Sequence, residues 1–438
     1  MPRSFKFHFK WHYRHRHFRK TPSSTSPIPC FQLPDFALKV SACRHEKKIS
    51  TLTRALPEAA LQPQFFVNFV MALPRIVRSF LQRQSQVKFA SSNLCSQRYA
   101  SLKAAILQEP KEALVVEEIK SRKKLKKGEV RIGVHCSAVN APDRLLTQGL
   151  SEDKVKLPFI PGFEVAGEIL ERHDKSNNED EDDDDVLEVG DRVLALSKED
   201  FGGFSEECIV SEKDVWKIPS ELTYETAAAL GDSYATALIA LGRRAQVKAG
   251  NVVLITAQTG GLGLAAVDVA ANVYKGKVIS ISDTEDEATL VRDKGAWSAI
   301  TYNPKTLLKS VQEVSENKGA DIVLDTCGGA IFKDAVKCVA LEGKVLMAGF
   351  ASQKLSDVPL SSLLELPSFS LIGVSLSNYR QTGFKIYRRV VQDVIDMCEQ
   401  GLITPSISKV YQLEEVNEAL QFLDDKKCVG KVILKIQD

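Results

Sequence analysis

No acidic residue precedes Asp35, and none lies between Glu58 and Glu109. The nine cysteines include no Cys-x-x-Cys pair and no Cys/His cluster with metal-ligand spacing. That excludes a zinc ribbon or knuckle, and makes a reduced compartment with small buried thiols the default reading. No apolar stretch is long and charge-free enough to span a bilayer, so no membrane span is expected. The net charge of +2 selects no partner by itself. At 438 residues the chain is too long for one compact core, which implies two domains plus extra segments.

What the first hundred residues do contain is positive charge. Residues 1–20 carry four of the seven histidines among Lys6, Lys10, Arg14, Arg16, Arg19 and Lys20. No cysteine or carboxylate stands near to complete a metal site, so the tract reads as a basic tail, with at most nonspecific contact to nucleic acid. A second methionine, Met71, opens a run in which Arg75, Arg78 and Arg83 alternate with Leu73, Ile76, Val77, Phe80 and Leu81. A helix there has one apolar and one basic side, and Ser85, Ser91, Ser92 and Ser96 follow. An arginine-rich, serine-rich, acid-poor segment has the composition of a mitochondrial transit peptide. The expectation is a leader over 1–101 with the targeting segment at 71–101 and import into the matrix; the alternative is a leader of no function and a cytoplasmic protein. The opposite charge appears in Glu179–Asp185, seven consecutive carboxylates that self-repel and read as a solvated loop.

From Leu102 onward the chain reads as short strands. Lys103–Leu107 is a strand-like run, Glu129–Ala138 alternates apolar and polar residues, and Phe159–Leu170 forms another strand with a glycine at its start. Val189–Val193 and Gly203–Val210 continue the pattern. After Pro219 the rhythm changes. Thr226–Leu230 and Ala235–Leu241 are helical, then the strand Asn251–Thr256 meets Gly260-Gly261-Leu262-Gly263, a helix to about Tyr274, and the strand Lys277–Ser282. Asp321–Asp325 and Gly343–Gly349 are further apolar runs of the buried parallel type. Strands alternating with helices specify a doubly wound parallel sheet. The tail, Ile407–Leu413 and Gly430–Lys435, returns to β and rejoins the first unit.

A glycine turn between a strand and a helix lets the backbone approach a pyrophosphate, which the helix N-terminus then faces with free N–H groups. Alone it is equally an ordinary strand-to-helix turn; the surrounding βαβ unit strengthens the dinucleotide reading.

With Val139-Asn-Ala-Pro-Asp143, Pro161-Gly-Phe-Glu164, Gly190-Asp-Arg-Val193, Thr236-Ala237 and Gly260–Gly263, the chain from Leu102 to its end resembles the medium-chain dehydrogenase/reductase superfamily, in its quinone oxidoreductase branch. The resemblance implies an α/β protein with a GroES-like β domain (102–232), a Rossmann cofactor domain (233–371) and a return to the first domain (372–438). It implies an NAD(P)H-dependent reductase of quinones or α,β-unsaturated carbonyls. The alternatives are an enoyl-thioester reductase and a weakly catalytic, nucleotide-bound scaffold or RNA-binding protein. Zinc-using members keep a cysteine and a histidine where this chain has Asn140 and Phe163, neither of which suits Zn²⁺, so no zinc is expected.

The site residues follow from the same resemblance. Asn140 and Asp143 match a pair near the nicotinamide, with a structural turn as the equal alternative. Tyr234 is a candidate proton donor or a wall of the site, and Thr236 lies beside it. Cofactor contacts fall to Gly260, Gly261, Leu262, Gly263, Gly328, Gly349 and Phe350, with Lys431 reaching a phosphate or lying on a surface strand. Leu145 stands where several relatives carry a tyrosine, which weakens any proton relay from that loop. Ser282 takes the place of a ribose-binding aspartate, and Asp283 and Glu287 follow it. Two carboxylates beside a 2′-phosphate oppose it by roughly 3 kcal/mol per charge pair at about 5 Å and an effective dielectric of ~20. The charges therefore favour NAD, against a family preference for NADP, with Glu287→Lys expected to favour NADPH; the alternative is that Arg292 or Lys294 neutralises the carboxylates. A homodimer through the apolar run Leu371–Ser375 is also expected.

Overall fold

The computed structural model describes residues 101–120, 124–151, 155–173, 186–256, 260–349, 358–423 and 428–437. These belong to one compact unit, Ala90–Asp438. The basic tract, the 71–100 targeting segment, the Glu179–Asp185 run and Phe350 lie outside the described residues.

Two sheets build this unit. The first is seven-stranded and grows around the longest strand, β3 (Glu129–Val139). Its alternating sequence puts Val130, Ile132 and Val134 into the core. β3 pairs antiparallel with β4 (Glu164–Arg172), which pairs with β5 (Arg192–Leu196), which pairs with β7 (Val215–Lys217); β6 (Glu207–Ser211) also lies on β3. A separate hairpin joins β1 (Ser101–Ile106) to β2 (Val115–Lys120).

The second sheet is all parallel, in the order β10 (Ser298–Thr301), β9 (Lys277–Ser282), β8 (Val252–Thr256), β11 (Ala320–Asp325), β12 (Val339–Met347) and β13 (Ser370–Gly373). The reversal of order between β8 and β11 makes the crevice outside their carboxyl ends the switch point where such folds take dinucleotides. Val253, Leu254, Ile255, Ile279, Ile281, Val323 and Leu324 are buried, as strands covered by helices on both faces must be. The chain then returns to the first sheet. β15 (Lys431–Lys435) pairs antiparallel with β3 and parallel with β14 (Ile407–Gln412).

The strand expected over Phe159–Leu170 begins only at Glu164. Pro158 and Pro161 lack N–H groups for a ladder, and Gly162 sits at φ +89°, where a Cβ would fall 2.5 Å from the Phe204 ring. The helix expected from Leu264 starts three residues earlier, at Gly261.

Candidate active site

Four short pieces of chain meet between the sheets. Helix α1 (Ala141–Thr147) begins at Asn140, with Pro142 in its first turn. Helix α2 (Gly231–Leu238) enters from the first sheet, and helix α3 (Gly261–Asp268) starts at the glycine turn with Gly260 as its N-cap. The start of β15 supplies Lys431. An isolated parallel bridge between Gly260 and Gly430 holds the last two pieces together.

Lys431 is 4% exposed and Glu164 is fully buried. The Lys431 ammonium donates to Glu164 Oε2 at 2.6 Å and to Asn140 Oδ1 at 2.5 Å. Asn140 Nδ2 in turn donates to Glu164 Oε2 at 3.0 Å. The other carboxylate oxygen, Oε1, accepts the backbone N–H of Asp232 at 2.9 Å. Two charges out of water are tolerable only when partnered this completely. The Asn140 amide is fixed in one orientation by a cation on its oxygen and an anion on its nitrogen.

Asp143 lies directly beneath. Its Oδ2 accepts the N–H of Asn140 at 2.9 Å and its Oδ1 the N–H of Gly162 at 3.0 Å. It is fully buried, and desolvation pushes its carboxyl up to about 7 against those two N–H bonds and the nearby Lys431 charge. Asp143 thus joins α1 to the glycine ahead of β4; it shapes the Asn140 turn from below.

The glycine turn packs closely on the start of β15. A Cβ on Gly261 would sit 2.5 Å from Lys431 Cδ and 3.1 Å from Ser233 Oγ, so only glycine lets the turn close over the lysine stem. Leu262 packs on the core behind it, and Gly263 is buried. At the end of β12, a Cβ on Gly349 would meet the Thr326 carbonyl at 2.2 Å. Gly328 opens helix α5 (Gly329–Ala335), and its N–H donates to Asp325 Oδ2 at 2.9 Å. Sequence reasoning passed over the group that fixes this floor. Thr256 Oγ1 donates to Asp325 Oδ1 at 2.8 Å, and Thr326 Oγ1 donates to the Thr256 carbonyl at 2.6 Å, tying the ends of β8 and β11 at the switch point. Burial raises the Asp325 carboxyl.

The structure gathers Asn140, Asp143, Lys431, Gly260 and Gly261, and adds Glu164 and Asp232. Lys431 therefore does not stand as a surface residue or a free phosphate ligand; its charge is taken by Glu164. Tyr234 is not brought to this cluster. Its buried hydroxyl donates to Asp268 Oδ2 at 2.8 Å and lies 2.9 Å from the Thr404 carbonyl. Desolvation and the Asp268 charge push the phenol well above its ordinary value. Thr236 is buried on the same helix.

The ribose edge also differs from expectation. The Ser282 hydroxyl is buried, with no hydrogen-bond partner among the described residues, so it does not line the cleft. Glu287, expected to face the ribose, is buried on helix α4 (Glu285–Asp293), where it accepts the N–H of Asp283 at 2.7 Å. Thr284 accepts the N–H of Glu287 in return. The pattern Thr284-x-x-Glu287 is a helix-capping pair, which holds the carboxylate against its own backbone. Asp283, half-buried, remains as the carboxylate beside the end of β9.

At the position expected for a zinc-ligating histidine, Phe163 packs edge-on against Phe201, with centroids 6.2 Å apart. Among the described residues no group of three His, Cys, Asp or Glu side chains gathers as a metal site.

Known proteins of this architecture match the chain closely. A family described as "Alcohol dehydrogenase GroES-like domain" matches residues 126–220, and one described as "Zinc-binding dehydrogenase" matches 294–434. Quinone oxidoreductase-like protein 2 of Bos taurus is 36% identical over 343 residues, covering 78% of this chain and 94% of that one. A probable oxidoreductase from Mycobacterium abscessus superposes with a TM-score of 0.66 at 29% identity, over 76% of this chain and 99% of its own. A mycobacterial protein solved in complex with NADPH gives 0.68 at 26% identity, over 76% of this chain and all of its own. The chain belongs to the medium-chain dehydrogenase/reductase superfamily, among its quinone oxidoreductase-like oxidoreductases.

Proposed function

We propose that this oxidoreductase reduces quinones or α,β-unsaturated carbonyls with hydride from a nicotinamide dinucleotide, without zinc. One observation carries the reading. The Lys431 stem supports Gly261 of the glycine turn while its ammonium holds Asn140, so the cofactor-binding turn and the polar group beside the acceptor are built on one side chain. When bound, the dinucleotide supplies the hydride. Gly260, Gly261 and the α3 N-terminus would hold its pyrophosphate, Gly328 and Gly349 would line the strand ends, and Asp283 would meet the adenosine ribose. Asn140, with its oxygen taken by Lys431, offers the acceptor an N–H donor rather than a base. Tyr234, its proton committed to Asp268, lines the interior and supplies no proton.

The metal-free reading is supported by what the side chains already do. The Asn140 oxygen is taken by Lys431 and one of its N–H groups by Glu164, and Phe163 is spent on an aromatic cluster. Quinones and enones suit such a site because they accept hydride without a Lewis acid. For the cofactor, Asp283 favours NADH over NADPH, and Asp283→Ser moves preference toward NADPH. Glu287→Lys, by contrast, removes the cap on the Asp283 N–H and disturbs the loop. The β13 edge, where Leu371 is 47% exposed, is offered as the seat of a homodimer. Segment 71–101 is offered as a mitochondrial address, tested by a reporter fusion with Arg75, Arg78 and Arg83 changed to Glu. The function itself is tested by NADH and NADPH oxidation against a panel of quinones and enones, using the full chain. Turnover with at least one class is expected; binding of dinucleotide with no turnover across the panel would overturn it.

A further inference from the structure

A second lysine, Lys198, is tied to the Asn140–Glu164–Lys431 cluster through Asp232. β5 ends at Leu196, and Ser197 donates its backbone N–H to the Phe163 carbonyl at 2.6 Å, which brings the next residue, Lys198, over the Phe163 ring. The ammonium stands 5.0 Å from the ring centroid and is ion-paired with Asp232. Asp232 is the residue whose backbone N–H binds Glu164, so Lys198 is one hydrogen-bonded step from the Asn140–Glu164–Lys431 cluster. The loop is pinned from both sides. The Ser197 hydroxyl donates to the Phe201 carbonyl at 3.0 Å, and Glu199 pairs with Arg380, whose guanidinium grips Asp214 at 2.6 and 2.7 Å.

Unlike Lys431, Lys198 is partly exposed: its side chain keeps 22% of its exposure and that of Asp232 keeps 20%. An ammonium has three N–H donors. Asp232 takes one, and no other hydrogen-bond acceptor for Lys198 occurs among the described residues. The ring face beneath adds a cation–π attraction that holds the charge in place without consuming a donor.

We infer that Lys198, set over Phe163 by Asp232, is an oxyanion-binding subsite that takes the carbonyl oxygen of the acceptor. The inference rests on the hydride-transfer reading above. When hydride adds with its electron pair to the β carbon of an enone, the C=C pair shifts toward the carbonyl carbon and the C=O pair moves onto oxygen. Reduced dinucleotide becomes oxidised dinucleotide, and the acceptor becomes an enolate. Lys198 donates a hydrogen bond to the new oxyanion and keeps its own proton; water supplies the proton that the α carbon finally takes. A donor already in place where charge develops stabilises the transition state more than the neutral ground state. The subsite selects acceptors that become oxyanions, such as enones and quinones.

4-Nitrophenol probes this without turnover, because its phenolate is coloured and its oxygen imitates the oxyanion. Dye absorbance is titrated with pH on the full chain without dinucleotide. The bound dye should ionise at lower pH than the free dye, Lys198→Arg should keep that shift, and Lys198→Met should abolish it and weaken phenolate binding by about tenfold. Failure of the wild type to bind the dye, or an unchanged titration in Lys198→Met, would overturn the subsite. NADH fluorescence is followed on the same samples. Loss of dinucleotide binding by the wild type would strike at the proposed function instead, and equal binding by wild type and Lys198→Met would show that the dye result belongs to Lys198 alone.

Discussion

Lys431 and Glu164 form the most costly pair in the site, since neither can return to water without opening it. Lys431→Met leaves a buried, uncompensated carboxylate, and a loss of about 3–5 kcal/mol in stability is expected. Adding Glu164→Gln removes the stranded charge and should recover much of the loss, read as the thermal midpoint of the two variants. A Lys431→Met protein as stable as wild type would contradict the pairing. Asp143 makes a pH prediction. Its folded value, about 7, lies above the ordinary 3.8, so the protonated form favours folding. Its stabilising contribution is full below about pH 4 and is lost as pH rises through 7. A carboxyl-carbon NMR titration should show a midpoint near 7; one near 3.8 would mean that the two N–H bonds and the Lys431 charge offset burial. At this scale the sequence was only half legible. Asn140 and Asp143 were visible because the short Asn-x-x-Asp motif carries the family resemblance. Glu164 stood in a quoted motif but was passed over, because its partner Lys431 is 267 residues away. Tyr234 was placed by the same resemblance, yet its partners Asp268 and Thr404 come from other elements.

Among the elements, the strand–glycine turn–helix unit around Gly261 is the one on which cofactor binding turns. Gly261→Ala places a methyl 2.5 Å from a lysine stem that is pinned at its far end, so the stem cannot swing aside cheaply. At least a tenfold loss of dinucleotide affinity is expected, measured by nicotinamide fluorescence; unchanged affinity would contradict the packing described. This unit was legible because glycine spacing and flanking apolar runs are short-range signals. Helix α6 (Phe384–Glu399) went unread although its signal was present. Tyr387, Val390, Val391, Val394 and Ile395 recur at helical spacing and are all buried. Trp216 on β7 donates its indole N–H to the Arg388 carbonyl at 3.1 Å and stacks edge-on with Tyr387, which docks this helix against the first sheet. The misplaced start of β4 has the opposite cause: Phe159, Ile160 and Phe163 look like strand residues, and the prolines and glycine between them decide otherwise.

Over the whole molecule, the return of β14 and β15 to the first sheet is what creates the site. Lys431 opens β15 and would not reach Asn140 if the tail ended with the parallel sheet. The change of rhythm after Pro219 and the β-rich tail made this arrangement readable from sequence, whereas the ribose edge was not, because Glu287 was judged by charge and not by its capping geometry. The exposed β13 edge gives a prediction at this scale. Light scattering at micromolar concentration should report a dimer, and Leu371→Lys should give a monomer by charging the edge; a monomeric wild type would remove the idea. The proposed reaction is direct hydride transfer from dinucleotide to acceptor across the junction of the two sheets. Nicotinamide dinucleotide deuterated at C4 on each face in turn, incubated with the full chain and an enone, tests it by NMR of the product. Deuterium at the β carbon from one face only is the predicted result; deuterium lost to water, or carried equally from both faces, would contradict it.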